Sequence, residues 1–152
     1  MTDADACVSV KRTRGESDLS SPLILLIDPD PVRRAARATE LRGCWARVAE
    51  LPDASRVANA LRAAHVDVVV VCADDPTVCQ QLVHETRAQI TAAEESVPLI
   101  AWQVDATGPC ASRAIMLHIG ADSVLEAPSS TTDLLANAFA LRRLMRDVHL
   151  RG

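Results

Sequence analysis

Val66-Asp67-Val68-Val69-Val70-Val71-Cys72 is a nearly unbroken β-branched run whose one polar member is Asp67. A strand with one wet face alternates apolar and polar residues, so this run predicts a central strand covered on both sides. Similar short runs lie on either side: Leu23 to Ile27, a weaker one at Ala46 to Glu50, Leu99 to Gln103, and Ser123 to Leu125. Helical patterns separate them, and that alternation predicts α/β organisation with a doubly wound, five-stranded parallel sheet.

Helix boundaries are marked by local chemistry. Pro31 suits the first helical position, followed by Val32, Ala35, Ala36, Thr39 and Leu41, with a stop at Gly43. Asp53 is the expected cap of a second helix through Val57, Ala60, Leu61 and Ala64, and Asp75-Pro76 opens a third through Val78, Leu82, Val83 and Ile90. A fourth is expected over roughly Cys110 to Ile119 with Gly120 as its stop. Ser130 with Asp133 three residues on resembles a capping box at the start of a long last helix.

Residues 1–22 mix charged and small polar residues, which bury too little apolar surface to offset ordering, so a disordered tail is expected there. Lys11, Arg12 and Arg14 form a small basic cluster within it that reads as solvated. Residues 23–148 form the single expected domain, and 149–152 its end or the start of a linker. With 49% hydrophobic residues a 152-residue chain can build one sizeable core. A net charge of −4 and only three aromatic residues (two Trp, one Phe) argue against direct nucleic-acid binding, which needs basic surface or stacking platforms. Five cysteines without a Cys-x-x-Cys pair, and no signal-like apolar leader, lead to the expectation of a reducing cytoplasmic compartment. No run is long enough to span a bilayer, so no membrane association is expected.

Three stretches together resemble the receiver domain of bacterial two-component response regulators. They are Ile24-Leu25-Leu26-Ile27-Asp28-Pro29-Asp30-Pro31, Val66 to Val71, and Gly120-Ala121-Asp122-Ser123-Val124-Leu125-Glu126-Ala127-Pro128. The resemblance covers about 23–145 and implies a flavodoxin-like, three-layer sandwich. It also implies a pocket in which two acidic residues after the first strand hold Mg²⁺ and an Asp ending the third strand accepts a phosphoryl group. A Ser or Thr after the fourth strand and a Lys before the Pro of the fifth would read that phosphate.

This sequence departs from that pattern at four places. Asp28 matches the first acidic position, but the second falls on Pro29, with Asp30 the nearest substitute. The acceptor falls on Cys72, the Ser/Thr on Gln103 and the Lys on Ala127. A thiol is a poor ligand for a hard cation and cannot form an acyl phosphate. The expectation is a degenerate pocket (Asp28, Pro29, Asp30, Cys72, Gln103, Ala127) with no catalysis, metal or cofactor. Asp74 reads as an exposed loop residue, and Cys72 as a buried inert thiol.

On the last helix, Leu134, Ala138, Leu141, Met145 and Val148 recur at four- and three-residue steps, with Leu135 and Phe139 widening the stripe and Arg142 on its flank. In receivers the face of the fourth helix, fifth strand and fifth helix mediates dimers and output contacts. The resemblance therefore implies an interaction face at Leu134, Leu135, Ala138, Leu141, Arg142 and Met145. Expected partners are a second copy or a signalling or transcription protein. The alternatives are an input domain of a larger regulator (a transcription activator, an antiterminator or a pilus-assembly ATPase) and, behind it, a flavodoxin-like or nucleotide-binding protein, whose Gly-rich cradle is missing.

Overall fold

The computed structural model describes residues 21–105 and 111–151. Five parallel strands, β1 (Leu23–Ile27), β2 (Arg47–Leu51), β3 (Val68–Val71), β4 (Leu99–Val104) and β5 (Ser123–Glu126), form one sheet in the order β2-β1-β3-β4-β5. The helices are α1 (Pro31–Gly43), α2 (Val57–Ala63, preceded by a 3₁₀ turn at Ala54–Arg56), α3 (Pro76–Ala92), α4 (Ala111–Ile119) and α5 (Thr131–Arg151). The order reverses once, at β1, which is the doubly wound arrangement expected from the sequence.

Two apolar layers explain why β1 and β3 lack polar alternation. Leu25, Ile27, Val69 and Val71 point to one face, where α2, α3 and α4 contribute Leu61, Leu82, Val83, Ile90 and Met116. Ile24, Leu26, Val68, Val70 and Cys72 point to the other, under α1 and α5, with Ala38, Leu41, Leu134 and Ala138. Because side chains alternate along a strand, each strand feeds both layers.

The caps expected at Asp53 and Asp75 are present, accepting from Ser55 N–H and Thr77 N–H, and Asp30, expected only as a pocket residue, caps α1 by accepting from the Val32 and Arg33 amides. The Ser130 hydroxyl accepts from Asp133 N–H at 3.0 Å, starting α5.

Three readings of the sequence are corrected. Val32, Ala35, Ala36 and Thr39 are exposed on α1, whereas Ala38 and Leu41 are buried and Arg33, Arg34 and Arg37 are intermediate. On α3, Val78 is exposed and Cys79 and Thr86 take inward positions beside Leu82, Val83 and Ile90. Order also begins ahead of β1: Pro22 is buried and its carbonyl accepts from Arg47 N–H at 2.8 Å. Residues 1–20, holding the basic cluster, and the segment 106–110 with Cys110 lie outside the described residues.

The sheet's two edges are short and polar. β2 exposes Arg47, Ala49 and Glu50, while β5 has four residues, ends at Glu126, and offers its Val124 carbonyl to Arg113 Nη1 at 3.2 Å. The base of α5 is held by Arg142 Nη2, 3.3 Å from Asp67 Oδ1, and Asp67 itself accepts from Leu23 N–H at 2.8 Å.

Candidate functional site

At the C-terminal tips of β1, β3 and β4, an open α/β sheet presents its ligand crevice. Ladder bonds continue one residue past the strands here: Asp28 N–H donates to the Leu51 carbonyl and Cys72 N–H to that of Ile27. Those bonds fix both side chains at the same end of the α1/α5 layer. A cavity of about 280 Å³ opens beside them, lined by Cys72, Gln103 and Ala127 together with Arg33, Arg37 and Asp74. Three of the six residues expected in the degenerate pocket thus line one cavity. Asp28 joins them through Arg33, Asp30 is the cap of α1, and Pro29 is exposed and turns the chain.

Arg33 dominates the electrostatics. Its Nε donates to Asp28 Oδ2 at 2.8 Å and its Nη2 to Oδ1 at 2.5 Å, a bidentate fork on a fully buried carboxylate. Its Nη1 lies 2.6 Å from Asp74 Oδ2 and 3.6 Å from Asp30 Oδ2. Asp28 Oδ1 also accepts from Asp30 N–H at 2.9 Å, so both carboxylate oxygens are engaged. The hydrogen bond to Asp28 holds the Arg33 guanidinium above its already high ordinary pKa, with the Asp28, Asp74 and Asp30 charges adding to it against the effect of burial. Arg34 Nη1 donates to the Asp28 carbonyl at 2.7 Å and its Nε lies 3.5 Å from Glu50, tying in β2.

Arg33 was missed in the sequence, although a signal was present. The first turn of a helix favours acidic side chains, because its free N–H groups carry partial positive charge. The first turn of α1 holds no acid and instead carries Arg33 and Arg34. A local preference broken without visible compensation marks a place where tertiary partners supply it.

Cys72 is 1% exposed. Burial pushes its thiol far up from the ordinary range, outweighing the lowering by Arg37 and Arg33 nearby, and Asp28 adds to the rise. Cys79, on the other side of the sheet, is pushed up to about 11 for the same leading reason. Thiolate is the reactive form, so site-resolved maleimide labelling of the folded protein at pH 8 is expected to modify the half-buried Cys44 well ahead of Cys72. Faster labelling at Cys72 would overturn its inertness. The sign for stability is definite. A thiol held neutral when folded contributes stability that is full below the unfolded thiol pKa (~8.5) and declines as pH rises above it.

Gln103 occupies a bulge between Trp102 and Val104, with φ of +60°. The left-handed backbone swings its side chain onto the β5–α5 loop, where Nε2 donates to the Ser129 carbonyl at 2.5 Å and Oε1 accepts from Ser129 N–H at 3.1 Å. This two-way clamp fastens the end of β4 to the approach of α5. Trp102 lies beneath, 1% exposed, with Arg37 5.3 Å above its ring centroid.

The interaction face expected on α5 is divided by the fold. Leu134 and Ala138 are buried in the α1/α5 layer and Leu135 and Leu141 pack partly against it, so core packing takes most of the stripe. Arg142 is engaged by Asp67, Met145 is half-buried, and Val148 lies outside the residues whose side chains are described. Among the residues whose side chains are described, Leu144 on α5 and Ile115 and Leu117 on α4 are the large apolar residues exposed on these two helices. A polar groove of about 450 Å³ runs between them over β5, lined by Arg113, Ser123, Glu126, Asp133 and Asn137.

No family model and no curated protein matches the chain. Solved structures do. The receiver domain of a Pseudomonas aeruginosa sensor histidine kinase, with magnesium coordinated in its active-site cleft, matches 81% of this chain and 98% of its own, at 22% identity and TM-score 0.61. The chain has the receiver fold. Chemotaxis protein CheY4 of Vibrio cholerae shares this receiver fold at 18% identity and TM-score 0.61, over 80% of this chain and 99% of that one. Full-length FixJ from B. japonicum does so at 20% identity and TM-score 0.63, with 83% of this chain matched to 60% of FixJ. Among the described residues of this receiver fold, no helix is long and apolar enough to cross a membrane.

Proposed function

We propose that the chain is a phosphorylation-independent pseudo-receiver: a regulatory module of signal transduction that acts by binding protein partners in the cytoplasm and performs no catalysis. The observation that carries this reading is the buried thiol of Cys72 at the tip of β3, where a phosphoryl acceptor needs an accessible carboxylate. Gln103 and Ala127 supply neither the hydroxyl nor the ammonium that would read a phosphate, and Gln103 is committed to Ser129. Magnesium, bound in the cleft of the Pseudomonas receiver, does not fit these residues. Pro29 offers no side-chain oxygen, Cys72 is a soft ligand, and a guanidinium lies among the carboxylates.

Contacts with a second copy or a signalling partner fall to the exposed parts of α4 and α5, which display Ile115, Leu117 and Leu144. The coverage of FixJ, in which this fold accounts for 60% of the chain, favours a second reading as the input domain of a longer regulator. The intact mass of the native protein, 16.3 kDa or larger, separates the two.

Acetyl phosphate or beryllofluoride with Mg²⁺ is the direct test. Intact mass and amide NMR shifts are expected to remain unchanged at the strand tips. A stoichiometric adduct on any aspartate would sink the proposal.

A further inference from the structure

We infer that Arg33 is a tethered cation standing where a divalent ion would bridge the tips of β1 and β3, leaving the site indifferent to magnesium. The inference deepens the pseudo-receiver reading and rests on it for the comparison with a metal-holding cleft.

The guanidinium meets the carboxylates of Asp28, Asp74 and Asp30 within 4 Å, and so joins the strand tips that present them. Asp28 is fully buried, and a carboxylate so placed needs a counter-charge and hydrogen bonds. Arginine supplies both through a planar fork that matches a carboxylate and stays protonated at any working pH. Delivery is built into α1: Asp30 caps it and Pro31 begins it, which sets Arg33 in the first turn over Asp28. A divalent ion comes and goes with its concentration, whereas this charge is covalently part of the chain. Magnesium also demands nearly octahedral oxygen ligands, so to enter it must first displace the guanidinium from two oxygens of one buried carboxylate.

The test is an amide NMR titration with millimolar MgCl₂, run on the parent, Arg33→Gln, Arg33→Lys and the double variant Arg33→Gln/Asp28→Asn. The parent and Arg33→Lys are expected to show no saturable shifts at the amides of Asp28, Asp30 and Asp74. Arg33→Gln is expected to gain them, with a rise in Tm of roughly 3–6 °C at ten times the new Kd, and the double variant to lose them again. Saturable shifts in the parent, or a folded Arg33→Gln that ignores Mg²⁺, would overturn the inference. Should Arg33→Gln fail to fold, Arg33→Met takes its place in the same titration and is scored by the same two outcomes. An adduct from acetyl phosphate would sink the pseudo-receiver reading alone, because the Mg²⁺ titration is scored separately on unphosphorylated protein.

Discussion

Trp102→Ala is expected to lower the unfolding free energy by about 3–5 kcal/mol, measured as a lower midpoint of urea denaturation at unchanged slope. The indole is among the largest fully buried side chains, lying in the α1/α5 layer with Ile24, Val70, Ile100 and Leu134. Its removal leaves a cavity that backbone on both sides of β4 cannot close, and it also takes away the face on which Arg37 rests. Trp102→Phe separates packing from polarity. Among the described residues the indole N–H has no acceptor, so losing that donor costs little and the phenylalanine variant should keep most of the stability. A drop as large as that of the alanine variant would contradict this account.

The second large effect distinguishes core from surface on α5. Leu134→Ala is expected to cost about 2–5 kcal/mol, because Leu134 has no exposed surface. Leu144→Glu, at a residue 61% exposed, is expected to leave the denaturation midpoint almost unchanged. Light scattering then reads the surface itself. If the protein self-associates through the α4 and α5 face, Leu144→Glu should reduce its mass toward that of one chain. A parent that stays monomeric at tens of micromolar, an order typical of weak interfaces, removes the homodimer from the proposal and leaves a heterologous partner.

The strands were legible because double-sided burial writes itself as continuous apolar runs, and the caps because Asp53, Asp75 and Ser130 satisfy free amides locally. The inward face of α1 was not. Hydrophobicity alone turns Val32, Ala35 and Ala36 inward and leaves the arginines in water. In the fold, Arg33, Arg34 and Arg37 lie over the sheet, their heads taken by Asp28, Glu50 and the Trp102 ring. Those partners lie on other strands, and no periodicity within α1 announces them. The same limit divided the stripe on α5: a spacing of three and four residues marks an apolar seam without saying whether the sheet or another molecule covers it. Cys72, Gln103 and Ala127 were readable as neighbours because each lies at the C-terminal end of its strand, and they line one cavity. Their central guanidinium was hidden, since it reaches them from a helix.

The margins of the sheet restrict how this molecule can assemble. An unpaired strand edge invites addition of another strand, and natural proteins discourage that with brevity and charge. Here one margin displays Arg47 and Glu50, and the other stops after four residues with an arginine seated on its carbonyl. Ribbon-like polymerisation through main-chain pairing is thereby disfavoured even in a crowded cell. In the proposed role, recognition would fall to side chains on the helices, where single substitutions retune it without endangering the fold.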